Sequence, residues 1–280
     1  MPLFKVTDHC VSKEKFELLK NTEHGFLVTT PLPDISELYK YYETEEYISH
    51  TDTKRNLFEK VYHLVREYAI KNKVALINNE QEKGSLLDIG CGTGDFLSVA
   101  KNNGWSVTGI EPNTAARAKA NSKTEHKVFD ISKLESLPAD SFDVITLWHV
   151  LEHLPNLEEQ IQVFKKILKP NGTLIIAVPN HKSFDAIHYK EFWAAYDVPR
   201  HLWHFSQSSI KNLFGKFQIK LIKTVPMKFD SFYVSLLSEK YKTGKQNPFK
   251  AFWIGFRSNL KAKHTSEYSS LIYVFKNLKK

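Results

Sequence analysis

The stretch Leu86-Leu87-Asp88-Ile89-Gly90-Cys91-Gly92-Thr93-Gly94-Asp95 decides the fold. An apolar run, which reads as a buried strand, ends in an acid and then alternates glycine with small residues. Glycines there let the backbone turn sharply and let a ligand approach main-chain N–H groups with no Cβ in the way. The spacing is Gly-x-Gly-x-Gly. A dinucleotide fingerprint needs its third glycine at 95, and 95 is Asp. A dinucleotide would lay its pyrophosphate on this turn and on the helix N-terminus behind it. Asp88 before the turn and Asp95 in the first turn of the helix oppose that anion and tolerate a cationic ligand. S-adenosyl-L-methionine fits, with a sulfonium, an ammonium and one carboxylate for N–H groups to hold.

Working outward, Trp105 to Ile110 reads as the next strand and ends at Glu111-Pro112-Asn113. An acid about 20 residues past the glycines is placed to take both ribose hydroxyls. Lys127 to Ile131 reads as a third strand whose Asp130 is placed to accept from an adenine amino group. A fourth, Phe142 to Trp148, runs into His149-Val150-Leu151-Glu152-His153-Leu154. A helix follows, then a turn and fifth strand ending at Pro179.

These five motifs, in this order across 86–180, resemble the class I S-adenosylmethionine-dependent methyltransferases. The resemblance implies an α/β fold with a doubly wound, seven-stranded Rossmann-like sheet whose last strand is antiparallel. It implies an N-terminal cap and a C-terminal helical extension, with S-adenosyl-L-methionine as cofactor. Asp88, Gly90, Gly92, Gly94, Glu111, Asp130, Ile131 and Trp148 are the cofactor-binding candidates.

Length and composition agree. The 280 residues can bury a substantial core, with 42% apolar and 25% charged residues, as in a soluble globular protein. No run is long enough to span a membrane, and Met1 to Val6 lacks a signal-peptide layout. Cys10 and Cys91 are the two cysteines, so no disulfide framework is expected and a reducing cytoplasm is the default. Four segments are expected: a hairpin over 1–33, a helical cap over 34–80, the cofactor-binding core over 81–225, and a basic helical extension with the final strand over 226–280. In the cap, Asp34 to Tyr42 suggests a short helix. Leu57, Phe58, Val61, Tyr62, Leu64, Val65 and Tyr68 follow helical spacing on a second. Residues 7–29 look like the zinc-ribbon module found ahead of some bacterial members of the same group. Here its second ligand pair falls on Asn21 and His24, and the first Cys-x-x-Cys is absent. His9, Cys10 and His24 do not supply four ligands with usable spacing. The segment therefore reads as a ribbon without its metal.

Methyl transfer from a sulfonium needs an aligned nucleophile and, for oxygen, removal of a proton. The loop after the fourth strand holds His149, Glu152 and His153. The sequence resembles the quinone-biosynthesis O-methyltransferases, where an acid and a histidine of this loop sit near the substrate, in some members around a divalent cation. The usual pattern there begins with Glu and here with His149, so no metal is expected. His153 is the general-base candidate because histidine titrates near neutral pH. Helix capping and loop stiffening are the plain alternative for Glu152 and His153. A second cluster, Phe192 to Ser206, is dense in aromatics. Trp193 and Tyr196 are read as the apolar wall of a substrate cleft, with Arg200 or His201 as a polar handle.

From 240 to 280 ten basic residues face one acid, Glu267. Phe249, Phe252, Trp253, Phe256 and Leu260 form one helical stripe in that segment. Such a helix can lie on an anionic membrane or grip a lipid-like substrate. The reading favoured here packs the stripe inward, as core or lid. Nucleic acid is disfavoured because no RNA- or DNA-binding module is recognisable. The function expected is methyl transfer to oxygen on a small-molecule acceptor. A nucleic-acid or protein methyltransferase and a non-catalytic S-adenosylmethionine-binding protein remain the alternatives. Oligomeric state is not legible.

Overall fold

The computed structural model describes residues 3–42 and 57–278. Three strands, β1 (Phe4–Thr7), β2 (Lys15–Lys20) and β3 (Leu27–Thr30), pair antiparallel in sequence order. The sequence predicts a small hairpin over 1–33. The structure extends it, because β3 also pairs with β9 (Trp203–His204), giving a four-stranded sheet tied to the far half of the chain. A 3₁₀ turn covers Ile35–Tyr41. A helix, α1 (Leu57–Glu80), leads to the core. The side chains of Leu57, Phe58, Val61 and Tyr62, assigned to its apolar spacing, lie outside the described residues. Leu64 and Tyr68 of that pattern are exposed.

The main sheet contains β4 (Ser85–Ile89), β5 (Ser106–Ile110), β6 (Val128–Phe129), β7 (Phe142–Trp148), β8 (Leu168–Pro179), β10 (Ile219–Met227) and β11 (Ser270–Asn277). The strand order is β10-β11-β8-β7-β4-β5-β6. The pairs among β4 to β8 are parallel, and β11 runs antiparallel between β8 and β10. The central strands are apolar almost throughout because both faces of a parallel sheet are covered by helices. Alternate side chains divide the core in two. Leu87, Ile89, Ile145, Leu147, Leu174 and Ile176 pack on one face with α4 (Leu157–Ile167) and α6 (Gln207–Lys216). Leu86, Val107, Val144, Ile175 and Ala177 pack on the other with α1, α2 (Asp95–Asn102) and α3 (Thr114–Thr124). Helix α4 shows why: Leu157, Ile161, Phe164 and Ile167 repeat at helical spacing and are all buried. Strand order reverses between β4 and β7. Ligands in open α/β sheets bind outside the carboxyl ends of the strands at such a point. The Gly90 turn and His149 lie there.

After β8 come α5 (Phe184–Tyr189) and short 3₁₀ turns. The last two strands are separated by a helical hairpin, α7 (Asp230–Thr243) and α8 (Pro248–Thr265). The structure overturns the inward reading of the α8 stripe. Phe249, Phe252, Trp253, Phe256 and Leu260 are 91%, 61%, 56%, 43% and 46% exposed. The buried face carries Ala251, Ile254, Gly255, Ser258 and Ala262 instead. The cause is a close helix crossing: a Cβ on Gly255 would lie 2.8 Å from the Phe232 ring of α7. Small residues let the two backbones approach, and the aromatics take the opposite side. No helix of the described residues is long and apolar enough to cross a membrane.

Candidate active site

The turn after β4 is built by glycines for two reasons. Gly90 has φ 70° and faces Val150 so closely that a Cβ would overlap its methyl group. Gly94 has φ 77°, and a Cβ there would meet the Ala120 backbone at 2.9 Å. At Gly92 a Cβ would meet nothing within 4 Å, so this side of the turn is an open cradle. Glu111, at the end of β5, holds the turn: its carboxylate accepts from Gly92 N at 2.8 Å and Asn113 N at 2.9 Å. Burial raises its pKa, and those two N–H groups and Arg117 offset part of the rise. A carboxylate has about four lone-pair sites, so two remain for ribose hydroxyls. Asp88 is buried under the turn and accepts from Thr146 Oγ1 at 2.6 Å. Burial pushes its pKa up.

Asp95 does not act on a ligand as the charge argument assumed. Arg66 and Lys123, the latter at 2.6 Å, pair with it, and Thr93 donates to it. The case for a cationic ligand therefore rests on Asp88 and Glu111. Asp130 caps the following 3₁₀ turn, accepting from Ser132 N, and lies 3.1 Å from Arg117. Ile131 beside it is 39% exposed and offers an apolar surface for a flat ring. Trp148 ends β7. Phe96 packs edge-on against it, Lys73 of α1 sits 4.4 Å over its ring, and its buried Nε1 has no partner among the described residues. The open cradle, the spare lone pairs of Glu111 and this unpartnered indole N–H fit S-adenosyl-L-methionine.

Five residues from three distant segments meet beyond β7. His149 Nε2 lies 3.2 Å from Asp230 at the start of α7, and its Nδ1 lies 3.5 Å from Glu152. Burial opposes the charged imidazole, yet the two carboxylates outweigh it and raise its pKa to about 9. Glu152 is fully buried, and apart from His149 no donor among the described residues reaches its oxygens. Burial pushes its pKa up, but His149, His201 and His153 win and hold it below the ordinary value. His153 Nδ1 lies 3.0 Å from both Tyr42 Oη and the Arg200 carbonyl, so that nitrogen is engaged by the fold. Burial, with His201 adding to it, lowers its pKa to about 4. His201 stacks edge-on against His153 at 4.5 Å, its Nδ1 held by the Ala195 carbonyl at 2.9 Å. One ligand atom each from Glu152, His153 and His201 lies within 4.8 Å of the others, a set that a divalent cation can use.

The second cluster departs from its reading as a cleft wall. Trp193 and Tyr196 are 2% and 1% exposed and join the core between α5 and the N-terminal strands. Trp193 Nε1 donates to the buried Asp185 at 2.8 Å. Arg200 is spent internally, on Asp197 at 2.5 Å, Asp8 at 3.5 Å and the Tyr41 carbonyl. Large aromatics bury more apolar area here than a cleft wall would allow. Of the four side chains, that of His201 alone reaches the Glu152 cluster, while Arg200 touches it through its backbone carbonyl. The sequence reading missed Asp230, Tyr42 and Lys73. Tyr42 fell at the end of the expected cap helix, but nothing local tied it to His153. Asp230 and Lys73 sit in no motif.

This sheet and glycine turn define the α/β methyltransferase fold, and the acidic cradle fits S-adenosyl-L-methionine. The chain belongs to the family described as the methyltransferase domain, whose profile matches residues 61–224, more than half of its length. The ubiquinone biosynthesis O-methyltransferase of Histophilus somni (strain 2336) is 35% identical over 106 residues, 34% of this chain and 44% of that protein. The protein of the same name from Rickettsia akari (strain Hartford) is 30% identical over 156 residues, 52% of this chain and 61% of that one. The chain thus matches only about half the length of these curated relatives. Magnesium protoporphyrin IX methyltransferase from Synechocystis PCC 6803, solved with bound SAH, superposes with a TM-score of 0.57 over 87% of this chain and 99% of its own. At 15% identity that likeness establishes the fold.

Proposed function

We propose that this protein methylates a hydroxyl group of a small aromatic acceptor, using S-adenosyl-L-methionine. The observation that carries the reading is Glu152: a buried carboxylate beside the cofactor turn that faces three imidazoles and, apart from His149 Nδ1 at 3.5 Å, receives no donor from the described residues. Such a group needs a partner, and an acceptor hydroxyl supplies one. The relatives named ubiquinone biosynthesis O-methyltransferases support oxygen as the nucleophile and a quinone precursor as the acceptor class.

When bound, the cofactor supplies an electrophilic methyl group on sulfonium. The chain does the rest. Glu152 accepts the hydrogen bond of the hydroxyl that keeps its proton, the neighbour of the reacting one on a catechol-type ring, and so orients the acceptor. The His149 imidazolium, held by Asp230 and Glu152, stabilises phenolate charge as it develops. His153 stays unprotonated at neutral pH and presents Nε2 as proton acceptor. A conjugate acid with pKa about 4 supplies little driving force, so most of the effect comes from positioning and from His149. Trp193, Tyr196 and Arg200 support the cluster from behind.

The test is turnover with methyl-labelled cofactor and catechol- or hydroquinone-type acceptors. Glu152→Gln and His149→Gln should each lower kcat by about 10²-fold or more, with cofactor affinity retained. Unchanged kcat in both would remove this assignment.

A second reading has one observation behind it, the shared reach of Glu152, His153 and His201. There a divalent cation would bridge cluster and acceptor. The metal-free reading is kept because His149 occupies the place of an acidic ligand and pairs with Glu152. Elemental analysis of fresh protein separates the two. The N-terminal strands fit a ribbon held without metal. Asp8 accepts from Cys10 N, Val11 N and Ser12 N, closing that turn. His24 lies beyond the other end of β2, a strand about 17 Å long, so Cys10 and His24 cannot share an ion.

A further inference from the structure

The outward stripe of α8 calls for a partner. Phe249, Phe252, Trp253, Phe256 and Leu260 occupy an arc of about 100° on a helix about 27 Å long. Soluble proteins rarely leave such a contiguous apolar strip in water. Phe252 stacks on Phe232 at 5.2 Å and Trp253 on Phe256 at 6.0 Å, so the strip is one surface rather than scattered rings. Exposed bases line it: Arg257 and Lys261 on one edge, both over the Phe184 ring, and Lys263 at its end. Between 240 and 280 the chain carries ten basic residues against Glu267 alone.

We propose that α8 is a membrane-docking helix that lies in the interface of a bilayer containing anionic lipids. An amphipathic helix with aromatics on one face and bases beside them buries the aromatics among acyl chains and sets the bases at headgroup level. Charge selects this occupant over a second copy of the chain. A symmetric pairing through the stripe would bring two strongly basic segments together. The hairpin also joins the surface to the site, because α7 begins at Asp230, the partner of His149. Phe229 and Tyr233 at that end are exposed as well, 46% and 42%. Docking this way would bring a membrane-resident acceptor towards the site. The docking claim itself does not depend on which acceptor is methylated.

The experiment is co-sedimentation of the full chain with vesicles of phosphatidylcholine alone and of phosphatidylcholine with phosphatidylglycerol, at low and high salt. Binding is expected for the anionic vesicles, weakened by salt. Phe252→Ser with Trp253→Ser should weaken it by at least about tenfold without moving the melting temperature, since both rings are exposed. Phe249→Ser, at the most exposed position, is the milder check. Arg257→Gln with Lys261→Gln should reduce the preference for anionic vesicles. Three results would overturn the proposal: no vesicle binding by the unaltered protein, equal binding by the stripe variants, or a dimer in sedimentation equilibrium that the stripe variants dissolve.

Discussion

Glu111→Ala tests the cofactor cradle most sharply. The side chain is 8% exposed and its two oxygens accept from Gly92 N and Asn113 N at 2.8 and 2.9 Å. Hydrogen bonds to a charged acceptor contribute about 1.5–3 kcal/mol each, and part of this returns when water replaces the carboxylate. The fold should therefore lose about 2 kcal/mol. The cofactor loses a different quantity. Two lone-pair positions remain for ribose hydroxyls, and their removal should weaken S-adenosylhomocysteine by about 1–3 kcal/mol, or about 5- to 150-fold in Kd. Calorimetry well below the melting temperature separates the two effects. Glu111→Asp, which keeps the charge but withdraws it by one methylene, should fall between. An unchanged Kd in the alanine variant would refute the ribose assignment.

Other expectations follow from the same geometry. Trp193→Ala should destabilise the protein by about 3–5 kcal/mol, because the ring is core and its Nε1 satisfies Asp185. Chemical denaturation measures this, and a loss under 1 kcal/mol would restore the cleft-wall reading. His149 is raised from 6.5 to about 9, so it binds its proton more tightly in the folded state. Its contribution is full below pH 6.5 and is lost as pH rises from there to about 9. His153 and His181 are lowered from 6.5 to about 4. Their effect has the opposite sign: stability falls as pH drops from 6.5 towards 4. Melting curves across pH should show His149→Gln flattening the alkaline limb alone. Stoichiometric zinc or magnesium in freshly purified protein would reject the metal-free reading of Glu152, His153 and His201.

The sequence made the central sheet legible because its signals are local. An apolar run, a glycine turn and an acid at a strand end all lie within a few residues of one another, and β4, β5, β7 and β8 follow from them. His149, Glu152 and His153 stand out as candidates for the same reason, one short loop holding all three. Asp230, Tyr42 and Lys73 do not, since each reaches the site from a segment whose own pattern is silent. His201 was visible only as one polar residue in an aromatic run. Its three neighbours in that run, Trp193, Tyr196 and Arg200, proved to be core and ion-pair groups. The α8 stripe was misread for an instructive reason. Periodicity marks which residues share a face, not which face is covered. Gly255 against Phe232 decides that, and the contact lies between two helices.

The most direct measurement is a single-turnover reaction with methyl-labelled S-adenosyl-L-methionine and a catechol-type acceptor, read by mass spectrometry. The account predicts label on an acceptor oxygen and an equal amount of S-adenosylhomocysteine, with both falling together in Glu152→Gln. Tight cofactor binding with no label on oxygen for any aromatic acceptor, or transfer to nitrogen or carbon that Glu152→Gln leaves unchanged, would contradict it.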